Sequence, residues 1–433
     1  MKSMKSMKST KKPRTTVTHS LAHLDVLISG ASIAGPALAL WLARYGARVT
    51  VVEKAPALRE GGFAVDFRGE AHRTVLRRMG IWDEVHRRQT RMGRQVIVEA
   101  DGRERVELPA FLMSGDVEIF RGDLSAILYE RTRDDVEYVF GDSVATLSEH
   151  SDGVDVTFDH GAPRRFDLVV GADGLHSRTR RLAFGNESRH LRFLGYYVAG
   201  FGIPNHLGLD RTAQVYSEPG RTVMVSNYDG DPERAGAGLV FASEWLGHDR
   251  HDKEAQKRLL AARFADMGWP HAAVVLENLE DADDLYFDAI AQIHVDGLAR
   301  GRVVLLGDAG YGATMGGIGT GTALVCAYVL AGELAAARGD HRAAFAAYEA
   351  EVRDYARGCQ RTSGNAGPFL APPTERRIRS RDRAYRLLAS RFLAGFFKRL
   401  TERAANGITL KDYGPAEGGP RTARDYASRN RQP

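Results

Sequence analysis

Asp167-Leu-Val-Val-Gly-Ala-Asp-Gly-Leu-His-Ser-Arg178 is the stretch on which the fold turns. It reads as a buried strand entering a tight turn at Gly171, Asp173 and Gly174. Upstream, Leu24-Asp-Val-Leu-Ile-Ser29 is a short apolar strand, Ala34 to Tyr45 a helix, and Arg48-Val-Thr-Val-Val-Glu53 a second strand. Residues 24–53 therefore form a compact βαβ unit with a glycine-rich turn. Downstream, Val303-Val-Leu-Leu-Gly-Asp308 is another buried strand ending in a Gly-Asp turn. Three strand ends that each deliver glycine or an acid to a turn suit one long, phosphate-containing ligand.

The first turn, Gly30-Ala-Ser-Ile-Ala-Gly35, carries the most chemistry. Gly30 permits the tight turn, and Gly35 lets the helix pack closely on the sheet. The amides of Ser32, Ile33 and Ala34 then open the helix toward a pyrophosphate. Ser32 stands where a middle glycine is usual and crowds that approach. Glu53, with Lys54 beside it, ends the next strand 23 residues after Gly30, where an acid accepts hydrogen bonds from ribose hydroxyls. An acid there would repel a 2′-phosphate, which leaves NAD or FAD as the dinucleotide. The bland alternative is a βαβ unit with a tight turn and no ligand.

The net charge of +5 is misleading. Residues 1–20 carry six Lys/Arg and no acid; residues 375–433 carry fifteen Lys/Arg against six Asp/Glu, which leaves the body at about −10. The basic charge is in the tails, so a nucleic-acid groove is not expected. No apolar run approaches the roughly 20 residues of a membrane span. The start, Met1 to Arg14, has no apolar core and is not a secretory signal. Two distant cysteines, Cys326 and Cys359, argue against a disulfide framework or a cysteine-rich metal site and fit a reducing cytoplasm. No metal site is expected.

Between the motifs, Glu70–Met79 and Asp123–Arg133 read as helices. Gln95–Glu99 with Arg103–Glu107, and Val144–Leu147 with Val154–Phe158, read as hairpins. From residue 191 the pattern becomes β-rich: Phe193–Phe201, Thr212–Tyr216, Thr222–Tyr228 and Ala237–Ala242, followed by a helix over Lys253–Met267 and a strand over Leu285–Ile293. Thr320–Ala337 is a long apolar helix and 341–363 stays helical; Pro372-Pro373 marks a boundary. Beyond it, Arg376–Arg403 is basic and amphipathic, with Leu387, Leu388, Phe392, Phe396, Phe397 and Leu400 near helical spacing. That helix either packs over the preceding sheet, the favoured reading, or attaches reversibly to an anionic membrane. The expected fold class is α/β: a discontinuous Rossmann-like dinucleotide-binding domain, an inserted mainly antiparallel β domain, and a C-terminal helix. The expected boundaries are a basic lead-in over 1–21, the dinucleotide-binding domain over 22–188 and 292–370, the inserted domain, where a substrate would lie, over 189–291, and the C-terminal helix and tail over 371–433.

Over roughly residues 24–370 the chain resembles the class A flavoprotein monooxygenases of the para-hydroxybenzoate hydroxylase fold. Within them it is most similar in length and motif to the tetracycline-inactivating and actinobacterial single-component enzymes. Each fingerprint alone is common; Gly30–Gly35 with Glu53, Asp173-Gly174 and Gly307-Asp308, in this order and spacing, carry the resemblance. It implies FAD as the cofactor and NADPH or NADH as a transient reductant. Glu53 would bind the adenosine ribose, Arg121 would contact FAD, and Asp308 would reach the pyrophosphate–ribityl region. Gly317, Ile318 and Gly319 would face the flavin pyrimidine edge. Asp173 would serve both cofactors, and Gly62 and Asp66 would lie beside the flavin ring. The turn residues Asp173 and Asp308 could instead merely cap their turns, and Arg121 could be a surface ion-pair partner. Arg59, His72 and His176 stand near motifs and are left unassigned.

One loop departs from the family pattern. In Gly307-Asp-Ala-Gly-Tyr-Gly-Ala-Thr-Met-Gly-Gly-Ile-Gly-Thr-Gly321, Tyr311 replaces a histidine and Thr314-Met315 replace a proline pair. The family's chemistry runs through a flavin C4a-hydroperoxide that hydroxylates an electron-rich substrate, so no catalytic side chain is assigned. The expected activity is hydroxylation of an aromatic or polyketide-like small molecule with molecular oxygen, in antibiotic biosynthesis or resistance. Tyr216, Met224, Asn227, Tyr228, Phe241 and Met315 are candidates to line the substrate. The altered loop motivates an alternative, an FAD oxidase or dehydrogenase without oxygen insertion. A non-catalytic small-molecule-binding flavoprotein is a third. Trp41, Trp82, Trp245 and Trp269 do not form the family's halogenase motif. A monomer or a homodimer is expected.

Overall fold

A computed structural model describes residues 21–59, 62–108, 115–247, 249–315, 318–388 and 405–414. Gly317, the lead-in before Leu21 and the Phe392–Leu400 stripe lie outside the described residues.

The apolar runs at the three fingerprints become neighbouring strands of one sheet. Its order is Ala299–Arg300, Val303–Leu305, Leu168–Gly171, Asp25–Ser29, Arg48–Glu53, Glu137–Phe140, parallel throughout except at the first pair. Val26 and Ile28 pack under the helices Ala34–Arg44 and Gly319–Ala336, while Leu27, Val52, Val169 and Val303 face the other layer. That layer is a three-stranded antiparallel sheet, Val144–Glu149, Val154–Phe158 and Arg164–Phe166, contributing Val144, Val154, Val156 and Phe166. Burial on both faces explains why these strands read as continuous apolar runs. Gly319–Ala336 is long and apolar enough to cross a membrane, yet 83% of it is buried inside the protein as the central core helix.

The β-rich segment forms a seven-stranded sheet in the order Tyr286–Ile293, Leu191–Pro204, Arg234–Ala242, Arg221–Ser226, Ala213–Glu218, Gln95–Val98, Glu104–Glu107. Residues 191–293 supply only five of these strands. The hairpin at 95–107 supplies the other two, through a parallel pairing of Gln95–Ile97 with Ala213–Val215. The helices Lys253–Phe264 and Pro270–Glu280 cover one face; the second has no counterpart in the sequence reading. The other face meets the FAD-side unit through Phe63 and the two-stranded sheet Ala64–Phe67 and Val117–Phe120.

The described part of the C-terminal helix, Glu375–Leu388, packs on that seven-stranded sheet. Tyr385 joins Ile97, Val106, Leu108 and Val215, and Asp382 meets Arg105 at 2.8 Å. Residues 405–414 then return across the FAD-side unit. Asn406 Oδ1 accepts the Glu70 amide at 2.7 Å and so caps the helix Gly69–Met79 from a distance of 336 residues in sequence. Glu333, buried on the otherwise apolar core helix, accepts Lys411 Nζ at 2.9 Å and the Tyr413 hydroxyl at 2.7 Å. The Tyr413 ring fills the notch left by Gly332, where a Cβ would stand 2.2 Å from the ring. We expect Gly332→Ala to displace Tyr413, strand Glu333 without its partners and cost about 1–3 kcal/mol. An unchanged denaturant midpoint would show that this strap carries none of the stability.

Candidate active site

The cleft opens at the carboxyl ends of the parallel strands, where ligands of such sheets bind. At Gly30 the backbone has φ +109°, and a Cβ would stand 2.5 Å from the Ala172 carbonyl oxygen, so the first and second fingerprint turns touch. Gly35 leaves room for the Gly30 carbonyl under the helix. The helix Ala34–Arg44 has no side-chain cap at Ile33, so its first amides stay available to an anion. Gly307, at φ +64°, lies against Ala34 and brings the third turn to the same place.

Glu53 spans the glycine-rich turn: Oε2 accepts the Ala31 amide at 2.8 Å and Oε1 the Ala55 amide at 3.0 Å. Lys54 is exposed beside it. Arg121, at the start of the helix Arg121–Glu130, reaches over the turn and donates from Nε to Ser32 Oγ at 3.2 Å, while Gly62 lies against its stem. Ser125 holds the Ser32 carbonyl at 2.8 Å. The guanidinium is thus placed over the uncapped helix end, which is not the arrangement of a surface ion pair.

Asp308 opens into the cleft while protein surrounds it. Burial raises its pKa, and Arg121 opposes that rise. Asp308 Oδ1 also lies near Gly319, the first residue of the core helix, so the acid, the guanidinium and that helix end share one wall. Asp173, by contrast, is engaged in its own turn. It accepts the Ser177 hydroxyl, the Thr179 amide at 2.9 Å and the Thr179 hydroxyl at 3.0 Å. Ile318 contributes backbone only: its side chain is in the core and its carbonyl accepts Thr322 at 2.9 Å.

Asp66 is buried on Ala64–Phe67 and ion-paired with Arg68, and burial raises its pKa. Its Oδ1 has no hydrogen-bond partner among the described residues. Asp66 and its strand partner Glu118 are on the same side as Phe120, whose ring meets Tyr228 at 5.8 Å. Burial and the nearby Glu118 push the Tyr228 hydroxyl up to about 12.

The substrate-lining candidates separate. Met224 lies on the face toward the FAD-side unit, Tyr228 reaches the same side through Phe120, and Met315 packs with Phe63 and Tyr286. Tyr216 and Phe241 do not face the cleft. Tyr216 stacks on Trp269, and Phe241 is fully buried between the sheet and the helices. Asn227 is consumed by its loop, accepting from Arg211 and Gly230 and donating to the carbonyls of Asp231 and Arg234.

The atypical loop is well held. Thr314 donates to the Ala291 carbonyl at 3.0 Å and Ile293 to that of Gly312 at 2.9 Å, so the loop is zipped to the edge strand. Tyr311 points into the core, where its hydroxyl faces Tyr348 and Cys326. Met315, at φ +61°, turns toward the sheet. His72 is structural: it fills the space left by Gly321, contacts the Tyr355 hydroxyl at 2.9 Å, and burial pushes its pKa down to about 3.

Sequence reasoning missed Arg180. It is fully buried and donates to the Ala309 carbonyl at 2.9 Å and the Leu175 carbonyl at 2.7 Å, tying the second fingerprint turn to the third.

The family model described as an FAD binding domain matches residues 23–363. This chain belongs to that family of FAD-dependent monooxygenases. A flavin-dependent monooxygenase of Legionella longbeachae is 36% identical over 90% of this chain and 98% of its own length. An uncharacterized protein of Mycobacterium tuberculosis is 40% identical over 90% and 99%. The crystal structure of the tetracycline destructase Tet(55) superposes with a TM-score of 0.77 at 37% identity, covering 91% of this chain and 99% of that one. The cleft of this monooxygenase fits its cofactor: an uncapped helix end, an arginine above it, glycines where a Cβ would obstruct, and two acids at the strand ends.

Proposed function

We propose that this monooxygenase hydroxylates a flat, fused-ring, polyketide-like molecule lying between the Asp308–Met315 loop and the seven-stranded sheet. One observation carries the reading. On the sheet face toward the FAD-side unit, Gly200 pairs with Gly238 and Gly202 with Gly236, leaving bare backbone across two strands. Phe63 covers Gly200, Met224 lies against Gly238, and the Asp284 carboxylate accepts the Gly202 amide at 2.9 Å, so the flat backbone is bordered by an aromatic ring, a thioether and an acid. A floor whose own residues lack side chains accommodates a broad planar ring system better than a small phenol. The 37% identity to a tetracycline destructase supports the same substrate class.

In this reading Glu53 receives the adenosine ribose. Arg121 and the amides from Ser32 to Gly35 hold the pyrophosphate, and Asp308 the adjoining chain. Gly62, Asp66 and the backbone at Ile318 and Gly319 border the ring system. Asp173 acts by shaping its turn. Bound FAD, reduced by NADPH or NADH, supplies the oxygen-activating chemistry. The protein's part is to place the substrate and exclude water, for which Phe63, Tyr286 and Met315 form an apolar rim.

Purified enzyme should oxidise NAD(P)H faster with a tetracycline-type polyketide than without, giving a product heavier by one oxygen atom that derives from labelled dioxygen. Stimulation by simple phenols and not by fused-ring compounds would refute the substrate class. Flavin turnover without labelled product would favour the oxidase reading.

A further inference from the structure

We propose that His176 is a positioning residue: an imidazolium gripped by Glu187 and Asp288, it fastens the Asp173-Gly174 turn to the edge strand of the seven-stranded sheet and holds one side of the FAD cleft together. The argument rests on FAD occupying this cleft and is independent of the substrate.

Nδ1 lies 2.6 Å from Glu187 Oε1 and Nε2 lies 2.9 Å from Asp288 Oδ1. Both partners are carboxylates, so both nitrogens must donate. A neutral imidazole can donate from one only, and its other lone pair would face an anion. All three side chains are less than one-fifth exposed, at 18%, 19% and 16% for His176, Glu187 and Asp288, which makes a lost proton costly there.

The surroundings favour the cation. From the helix Arg178–Phe184, Arg181 stands 3.6 Å and Arg180 4.0 Å from Glu187 and hold that acid ionised. Asp288 also accepts the Ala289 amide at 2.8 Å. Arg250, from the loop before Lys253–Phe264, acts on His176 and Glu187 at longer range; Tyr197 and Tyr286 border Asp288. Asp173, in the same turn, is committed to Ser177 and Thr179.

The three partners come from three elements: the turn itself, the short 3-10 helix Glu187–Arg189, and the strand Tyr286–Ile293. The turn abuts Gly30 through Ala172, and the strand carries Tyr286 into the electrostatic neighbourhood of Arg121 and Asp308. Releasing the grip therefore frees two walls of the cofactor cleft from each other.

Burial alone would lower the pKa of His176, but the bonds to Asp288 and Glu187 outweigh it and raise the value above 6.5. A cation stabilised in this way contributes fully below about pH 6.5 and loses its contribution as pH rises through the raised value.

The test is the FAD dissociation constant of the full chain, measured by flavin fluorescence from about pH 6 to about pH 9. Wild type should weaken by about fivefold across that range. Glu187→Gln should flatten the profile: its amide N–H donates to a neutral Nδ1, its carbonyl meets Arg181, and Nε2–H still serves Asp288. His176→Gln should bind FAD about fivefold more weakly than wild type at about pH 6 and converge on it toward about pH 9. Identical profiles for wild type and Glu187→Gln would overturn the proposal, even if the His176 variant failed to fold. So would a His176→Gln enzyme that raises only the KM for the nicotinamide, since that would make His176 a ligand of the reductant.

Discussion

Gly30→Val should yield a protein that is purified without FAD and does not take it up. The backbone at Gly30 has φ +109°, a region that β-branched residues avoid. Its new Cβ would also stand 2.5 Å from the Ala172 carbonyl oxygen and 3.0 Å from Asp173 Cα. Neither neighbour is a flexible side chain. The Ala172 amide is bonded to the Ser29 carbonyl at 2.8 Å and the Gly30 amide to that of Val52 at 2.8 Å, so relief requires the ends of three parallel strands to move apart. Strain and overpacking together cost about 3–5 kcal/mol. Because the displaced atoms belong to two fingerprint turns, the loss falls on the cofactor before the fold. Flavin absorbance after reconstitution, with circular dichroism as the control for folding, checks it. A folded variant that binds FAD within twofold of wild type would show that contact between the two turns is not required.

The readable parts of this molecule are those whose cause is local. A strand buried on both faces is written as an apolar run, and a turn with φ above zero is written as glycine. The three strand ends could therefore be placed in one sheet from Leu24–Glu53, Leu168–Gly174 and Val303–Asp308 alone. What could not be read depends on partners distant in sequence. The hairpin at 95–107 is evident, yet its pairing with Ala213–Val215 leaves no local trace. Tyr216, Met224 and Phe241 alternate as strand residues should, but alternation defines two faces without saying which one the helices cover. The helix Pro270–Glu280 decides that, and it sends Tyr216 and Phe241 to the core side. Asn227 reads as a candidate to line the substrate, whereas its amide is spent on four backbone partners. Asp173 shows the same limit: both of its oxygens accept from its own turn.

Arg180 is the sharpest case, and the second large effect is expected there. In Arg178-Thr-Arg-Arg181 three arginines look alike, and composition marks the run as a solvated helix start. Yet Arg178 and Arg181 are 35% and 40% exposed while Arg180 is 0% exposed. The reason is the planar fork of the guanidinium, which reaches two carbonyls at once: Ala309, next to Asp308, and Leu175, next to Gly174. Arg180→Ala should take the donor from the buried Ala309 carbonyl and the half-buried Leu175 carbonyl, deprive Glu187 of a cation and open a cavity, at a cost of about 3–5 kcal/mol. Arg180→Lys should recover part of this, because an ammonium can serve one carbonyl at full strength but not both in the same geometry. The effect on FAD should exceed the effect on the apoprotein. The strands Leu168–Gly171 and Val303–Leu305 are paired as far as the Leu306 amide bond to the Gly171 carbonyl; beyond it Arg180 bridges the two turns, whose separation FAD requires to be fixed. Denaturant melts with and without FAD separate the two quantities: the stabilisation contributed by saturating FAD should shrink in Arg180→Ala and be partly restored in Arg180→Lys. Equal FAD stabilisation in all three proteins would make Arg180 a residue of the core alone and leave the spacing of the fingerprints to the sheet.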